Sequence, residues 1–295
     1  MGNVRGEHQK TGAQVSVCRL IDGAQVDDCQ PIVEALKSNP TKELLHSLAV
    51  SLRAKTIGWL SKFIKLDGLT TIVAYLKDIG EQRSQLEHEE LCIKCLKSLM
   101  NNKYGLQAVM AQSDALTVIA RSTQSPSLRT RTLVLEILGA VCLIPGGHRR
   151  ILEAMSDFAL HVGERVRFDT IVQCLNADLM FRSGWIGNVR VSADDTKKER
   201  IIDLQVAALS FINAVILGGP GREIDFRWHM RHEFRLLNVE KIVERLSQTE
   251  HEELGTQIEV YQKRTEADEN ELAHKHGLDR LPTDRPDAMV CHRPY

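Results

Sequence analysis

SLRAKTIGWLSKFIKLDGLTTIV (residues 51–73) lies without a gap over SLMNNKYGLQAVMAQSDALTVIA (residues 98–120), at an offset of 47 residues. Ser51 falls on Ser98, Leu52 on Leu99, Gly58 on Gly105, Asp67 on Asp114, Leu69 on Leu116, Thr70 on Thr117 and Ile72 on Ile119. Punctuation repeats along with apolar periodicity. A helix ends near a glycine, a short helix follows, an Asp is placed to cap the next helix, and that helix runs on.

The plan continues toward the C-terminus. LVLEILGAVCLIPGGHRRILEAM, residues 133–155, places Gly147 at an offset of 42 from Gly105, and Ile151-Leu152 on Val109-Met110. LQVAALSFINAVILGGPG, residues 204–221, carries its own glycine break. Periods of 42 and 47 residues are those of armadillo and HEAT arrays, in which units of two or three helices stack side by side. The reading is therefore all-α, an armadillo/HEAT-like α-solenoid of about four to five repeats. The apolar run that opens residues 133–155 is shorter than the roughly 20 residues a membrane span requires. It is apolar all the way round, so it must be covered on most faces. In an array it is an inner helix between neighbours, with one stripe facing the concave surface.

Composition agrees. Hydrophobic residues make up 43% of the 295 and aromatics 5%, so aliphatic ridges rather than sheet-forming aromatics fill the core. The net charge of −1 gives no global basic field, which argues against general nucleic-acid binding. The seven cysteines (Cys18, Cys29, Cys92, Cys95, Cys142, Cys174 and Cys291) are odd in number and scattered, and no secretory leader pattern is evident, which fits a reducing, cytoplasmic setting. Met1-Gly2-Asn3 begins like an acylation motif, but Gly6 stands where Ser or Thr is wanted. Four segments are expected: 1–40, mostly flexible; 41–247, the repeat domain, with 176–200 an inserted surface loop; 248–276, a charged helical extension; and 277–295, a disordered tail.

Sites for chemistry are few. Cys92-Ile-Lys-Cys95 is a C-x-x-C without the second pair that zinc requires, and it reads as one buried helix face. His229 and His232 form an i, i+3 pair with no third ligand. Pro145-Gly-Gly-His-Arg-Arg150 lacks the phosphate-loop pattern and follows a helix, so it reads as a helix break. Arg227, Arg231 and Arg235 read as a solvated helix face. No nucleophile motif appears, and neither an enzyme nor a cofactor is expected.

Several phrases, LEILGAVCLIPGGHRRILEAM, ERVRFDTIV, SFINAVI, IDFRWHMRHEFRLL and CLKSLMNNKYGL, resemble the regulatory region of Diaphanous-related formins over roughly residues 40–265, with the LEILGAVCL-PGGH phrase nearest the Dishevelled-associated branch. The resemblance implies an armadillo-repeat FH3 domain whose concave groove binds an amphipathic autoregulatory helix from a formin C-terminus. Groove positions would be Ile137, Ala140, Leu143, Ile144 and Asn213. Glu266, Asp268 and Glu269 would meet the basic tail of that helix. Rho-family GTPase contacts would map to Arg53, Lys55, Lys97, Asn101 and Asn102. Residues 1–40 offer little of the family's GTPase-binding subdomain, so GTPase binding is expected to be slight. No actin-polymerising domain, autoregulatory helix or proline-rich segment is seen, so actin is reached only indirectly. The expected setting is the cytoplasm, at the cytoskeleton or cell cortex, without insertion into a membrane. The alternative is a GTPase-effector or membrane-targeting scaffold whose groove takes no such helix.

Overall fold

A computed structural model describes residues 28–82, 85–182, 195–219 and 223–277, and all regular structure among them is helical. The helices are α1 (Gln30–Ser38), α2 (Lys42–Ala54), α3 (Ile57–Lys65), α4 (Gly68–Gln82), α5 (Leu86–Met100), α6 (Lys103–Ala111), α7 (Ala115–Arg121), α8 (Leu128–Cys142), α9 (Gly147–Val162), α10 (Asp169–Leu175), α11 (Ala177–Arg182), α12 (Asp195–Leu217), α13 (Ile224–Leu236), α14 (Val239–Leu246) and α15 (Glu252–Lys275). Helices α2, α5, α8, α12 and α15 pack in succession as an inner row. The shorter helices between them form the outer layers. This is an armadillo-like solenoid with one continuous aliphatic core.

The inner row explains the apolar run. Val134, Leu135, Leu138 and Val141 of α8 are fully covered by neighbours, and Gly139 lies against the Phe211 backbone of α12. Lys198–Leu217 of α12 is long and apolar enough to cross a membrane, yet 67% of it is buried in the array, as expected of a core helix.

The repeated glycines differ in purpose. A Cβ on Gly105 would stand 2.0 Å from the Leu99 carbonyl oxygen, and one on Gly147 would stand 1.9 Å from that of Val141. At both corners the short helix starts against the end of the inner helix before it, leaving no room for a side chain. Gly58 meets nothing nearer than the Thr56 hydroxyl at 3.8 Å, because Lys55 and Thr56 are extended and open that corner. The expected Asp caps are absent. Asp114 makes no capping bond, and Asp67 takes a left-handed backbone conformation with φ 67°. Among the described residues the capping side chains are Thr41, Thr56, Asn102, Ser127 and His251, each accepting from an amide three residues on.

Other expectations shift. Residues 1–40 include helix α1, held by buried Ile32, Val33 and Leu36. The expected loop at 176–200 contains α11 and the start of α12. Residues 1–27, 183–194 and 278–295, which take in Gly2, Cys18, Cys291 and the centre of that loop, lie outside the described residues. The charged extension is a single helix, α15, anchored through Leu254, Ile258 and Tyr261.

Candidate functional site

The concave face of the inner row is a groove. Its first basin lies between α2, α5 and α8, holds about 380 Å³, and is lined by His46, Val50, Arg53, Lys94, Asn101 and Leu133 among others. A second, of about 450 Å³, runs on from Arg129 and Leu133 to Glu136 and to Glu199 and Asp203 of α12. On α8 the exposed positions facing this way are Arg129, Glu136 and Ala140, with Leu143 exposed at its C-cap and Thr132 and Leu133 half-buried. Those spacings place them on one helix stripe. Leu143 is 69% exposed and Val50 58%, so the groove offers apolar surface that the fold leaves uncovered.

Charge is graded along it. Arg53, Lys94, Lys97 and Arg129 line the first basin with no carboxylate among its lining residues, whereas in the second Glu136, Glu199 and Asp203 stand beside Arg129 and Arg200. Lys97 of α5 pairs with Glu136 of α8, and Glu90 binds Lys94 at 2.5 Å and Arg129 at 3.4 Å, so the boundary is laced across helices.

The positions named from the sequence divide. Ala140 and Leu143 are exposed on the stripe and Ile144 is half-buried beyond it. Ile137, 4% exposed, belongs to the core between repeats. Asn213 is buried too: its amide donates to the main-chain oxygen and to Oε1 of Gln257, each at 3.1 Å, and so fastens α15 over that end of α12. Arg53, Lys97 and Asn101 share the first basin. Asn102 is a capping residue, accepting from Gly105 N at 2.8 Å, and Lys55 is half-buried just after α2.

The acidic cluster and the basic face correct one another. Arg227 and Arg231 are not solvated. They are 7% and 2% exposed, and their Nε atoms donate to the two oxygens of Asp268 at 2.7 and 2.6 Å. Asp268 is thus a buried counter-ion between α13 and α15 and is closed to any peptide tail. Arg231 Nη1 also donates to the Thr265 hydroxyl at 2.7 Å, and Arg235 holds Glu269 at 2.8 Å and Glu240 at 2.6 Å. Glu266 remains exposed. Two residues four apart on a helix looked like a polar face because their partner lies 37 and 41 residues away.

The remaining motifs are structural. Cys92 and Cys95 are fully buried; the Cys95 thiol donates to the Leu45 carbonyl at 3.3 Å, and burial pushes its pKa up to about 12. His229 lies 3.4 Å from Glu233, and no group of three metal-ligating side chains is found among the described residues. Buried His148 donates from Nε2 to the Val215 carbonyl at 2.7 Å, tying the Pro-Gly-Gly-His corner to the end of α12. In ERVRFDTIV, Arg167 grips Glu233 of α13 through two bonds of 3.0 and 2.5 Å, while buried Phe168 stacks toward Phe234 with ring centroids 5.0 Å apart.

Comparison with known proteins explains why these phrases recur together. The Diaphanous GTPase-binding domain matches residues 20–143, and the Diaphanous FH3 domain matches residues 148–293. The chain is a Diaphanous-related formin regulatory region. The Disheveled-associated activator of morphogenesis 1 of Mus musculus is 34% identical over 252 residues, covering 85% of this chain and 22% of that protein. Formin-F of Dictyostelium discoideum is 30% identical over 275 residues, covering 91% of this chain and 21% of that protein. The chain therefore spans about a fifth of the length of the curated relatives it matches. The fold matches the crystal structure of E. histolytica Formin1 bound to EhRho1-GTPgammaS, with a TM-score of 0.63 at 15% identity over 90% of this chain and 87% of that one. The match to the GTPase-binding domain starts at residue 20, so it takes in residues 20–40, where the sequence reading expected only a remnant of that region.

Proposed function

We propose that this formin regulatory region receives an amphipathic helix from a formin C-terminus along the α8–α12 part of the groove, and a GTP-loaded Rho-family protein at the α2–α5 end. The observation that carries the reading is the uncovered stripe of Ala140 and Leu143, continuous through Leu133 with the basin holding Val50. Small and aliphatic residues on one helix face let a second helix lie close and bury its apolar side. Arg53, Lys97 and Asn101 in a basin matched by the GTPase-binding domain support the second partner, as does the Rho protein bound to the structural relative. Such a module links Rho signalling to control of a formin and, through it, to actin. With Asp268 closed, Glu136, Glu199 and Asp203 are the carboxylates placed to meet the basic part of the helix.

Titration calorimetry with a formin C-terminal peptide tests the helix site. Ala140→Asp should leave melting unchanged, because the position is exposed. Binding should fall by roughly a thousandfold, the equivalent of ~4 kcal/mol for a carboxylate stripped of water without a partner. A variant that melts like wild type and binds at wild-type affinity removes the assignment.

A further inference from the structure

Helices α3 and α6 lie side by side outside the inner row and share a face with no acidic residue of its own. Their sequences, IGWLSKFIK and KYGLQAVMA, contain neither Asp nor Glu. Every other helix outside the inner row carries at least one, apart from the largely buried α7. We propose that this face docks peripherally on an anionic phospholipid membrane surface, independently of the groove.

The charge comes from lysine. Lys62, Lys65 and Lys103 are exposed on the two helices, and Lys55 is half-buried at the corner before α3. Nearby carboxylates stand at the margin: Asp28 takes Lys62 at 2.9 Å, Asp67 lies 3.9 Å from Lys37 of α1, and Asp114 follows α6. The face between them stays cationic. Apolar surface rises from the same place. Ile57 is 65% exposed at the first position of α3, where buried Trp59, Leu60 and Phe63 already supply the packing of that helix. The Ser61 and Tyr104 hydroxyls meet at 3.1 Å, and Ile57 precedes Ser61 by one turn, so an aliphatic and an aromatic tip sit together among the lysines. Tyr104 is itself 36% exposed. This composition favours lipid over protein. Lysine is depleted in protein–protein interfaces. Against an anionic bilayer its long stem lets apolar tips reach the headgroup boundary while the ammonium stays in water. Tyrosine is at home at the same depth. The contact is made by side chains at headgroup level and needs no spanning helix.

The test sediments the whole chain with vesicles of phosphatidylcholine, with or without phosphatidylserine, at low and high salt. Expected is binding to the phosphatidylserine vesicles alone, weakened at least roughly tenfold by high salt. Each lysine near such a surface contributes about fivefold in affinity. Lys103→Glu, which reverses one charge, should therefore weaken binding roughly twentyfold. Its melt should be unchanged, because a carboxylate in the first turn suits α6. Ile57→Ser should weaken binding and Ile57→Trp strengthen it, while Arg264→Gln, exposed on α15, should bind as wild type. Equal binding to both vesicles, or to neither, would overturn the proposal, as would undiminished binding by a well-folded Lys103→Glu protein. A wild-type chain that ignores vesicles, with capture of a GTP-loaded Rho protein lost in Ile57→Ser, would also overturn it and give the face to a protein partner.

Discussion

Replacing Asp268 with alanine should unfasten the C-terminal half of α15 and leave the rest of the array in place. In the folded chain the side chains of Arg227, Asp268 and Arg231 are 9%, 4% and 2% exposed, and both carboxylate oxygens are used. After the substitution Arg227 keeps Glu271 at the surface. Arg231 keeps only neutral partners, the Thr265 hydroxyl and the Tyr261 ring 5.4 Å from its guanidinium carbon. Removing one member of a buried ion pair strands the other charge and typically costs about 3–5 kcal/mol. The N-terminal half of α15 is secured differently, by buried Leu254 and Ile258, each contributing about 1.5–3 kcal/mol. After Tyr261 no apolar side chain of α15 is fully buried. The loss should therefore appear locally, as amide exchange over residues 262–275 faster by up to roughly 10²- to 10⁴-fold, with α2–α8 protection unchanged. Replacing the cluster with apolar residues, Arg227→Met, Arg231→Met and Asp268→Leu together, should restore protection, since desolvation of the charges then disappears. Unchanged exchange across α15 in Asp268→Ala would refute the account.

Three further outcomes follow from the geometry. Gly105→Ala and Gly147→Ala should each destabilise by about 1–3 kcal/mol, as overpacking does, while Gly58→Ala should be neutral or stabilising by up to about 1 kcal/mol; equal urea midpoints for all three would contradict the corner geometry. Burial raises the thiol pKa of Cys95 and Cys142 from an ordinary 9.0 to about 12, and that of Cys92 well above 9.0, so raising the pH through 9 should not ionise them in the native protein. At pH 8 about one Cys95 or Cys142 thiol in ten thousand is thiolate, against about one in ten when unfolded, and alkylation mapped by mass spectrometry should find all three cysteines protected until denaturant is added. Arg53→Glu with Lys97→Gln, in the first basin, should weaken capture of a GTP-loaded Rho protein at least tenfold, about 1.4 kcal/mol, at a cost to stability of no more than about 1 kcal/mol for the lost Lys97–Glu136 pair; undiminished binding measured by interferometry would remove the GTPase from that end.

The fold was legible because its signal is local. Apolar periodicity and the glycine breaks sit within single repeats, and stacking identical problems side by side has few solutions. The caps were misread for a related reason. A gapless alignment puts Asp67 on Asp114, but Thr56 and Asn102, which do cap, are 46 residues apart and fall out of register. The offset that carries steric information is 42, because Leu99-to-Gly105 and Val141-to-Gly147 preserve the same carbonyl contact.

The site was only half legible, and the failures share a cause. Periodicity assigns a residue to a helix face but not to what covers that face. Ile137 and Ala140 lie three apart on α8, close enough to be read as one stripe, yet the first is covered by an adjacent inner helix and the second is not. The formin resemblance placed Asn213 in the groove. The inner row continues past α12, and the two bonds from Asn213 to Gln257 make α15 the groove's end wall. Charges mislead most, since an arginine reads as solvent-facing unless its counter-ion is near in sequence. Arg227, Arg231 and Asp268 are separated by one whole helix and two turns, so their neutralisation is a property of the stacked array alone. The same three residues then tie the groove to the docking of α15. Any ligand that touches α15 as well as α8 or α12 binds only when α15 is docked, and its affinity must rise and fall with the population held by Asp268. A helix confined to the Ala140–Leu143 stripe carries no such linkage. Peptide affinity in Asp268→Ala thus measures how far along the inner row the occupant reaches.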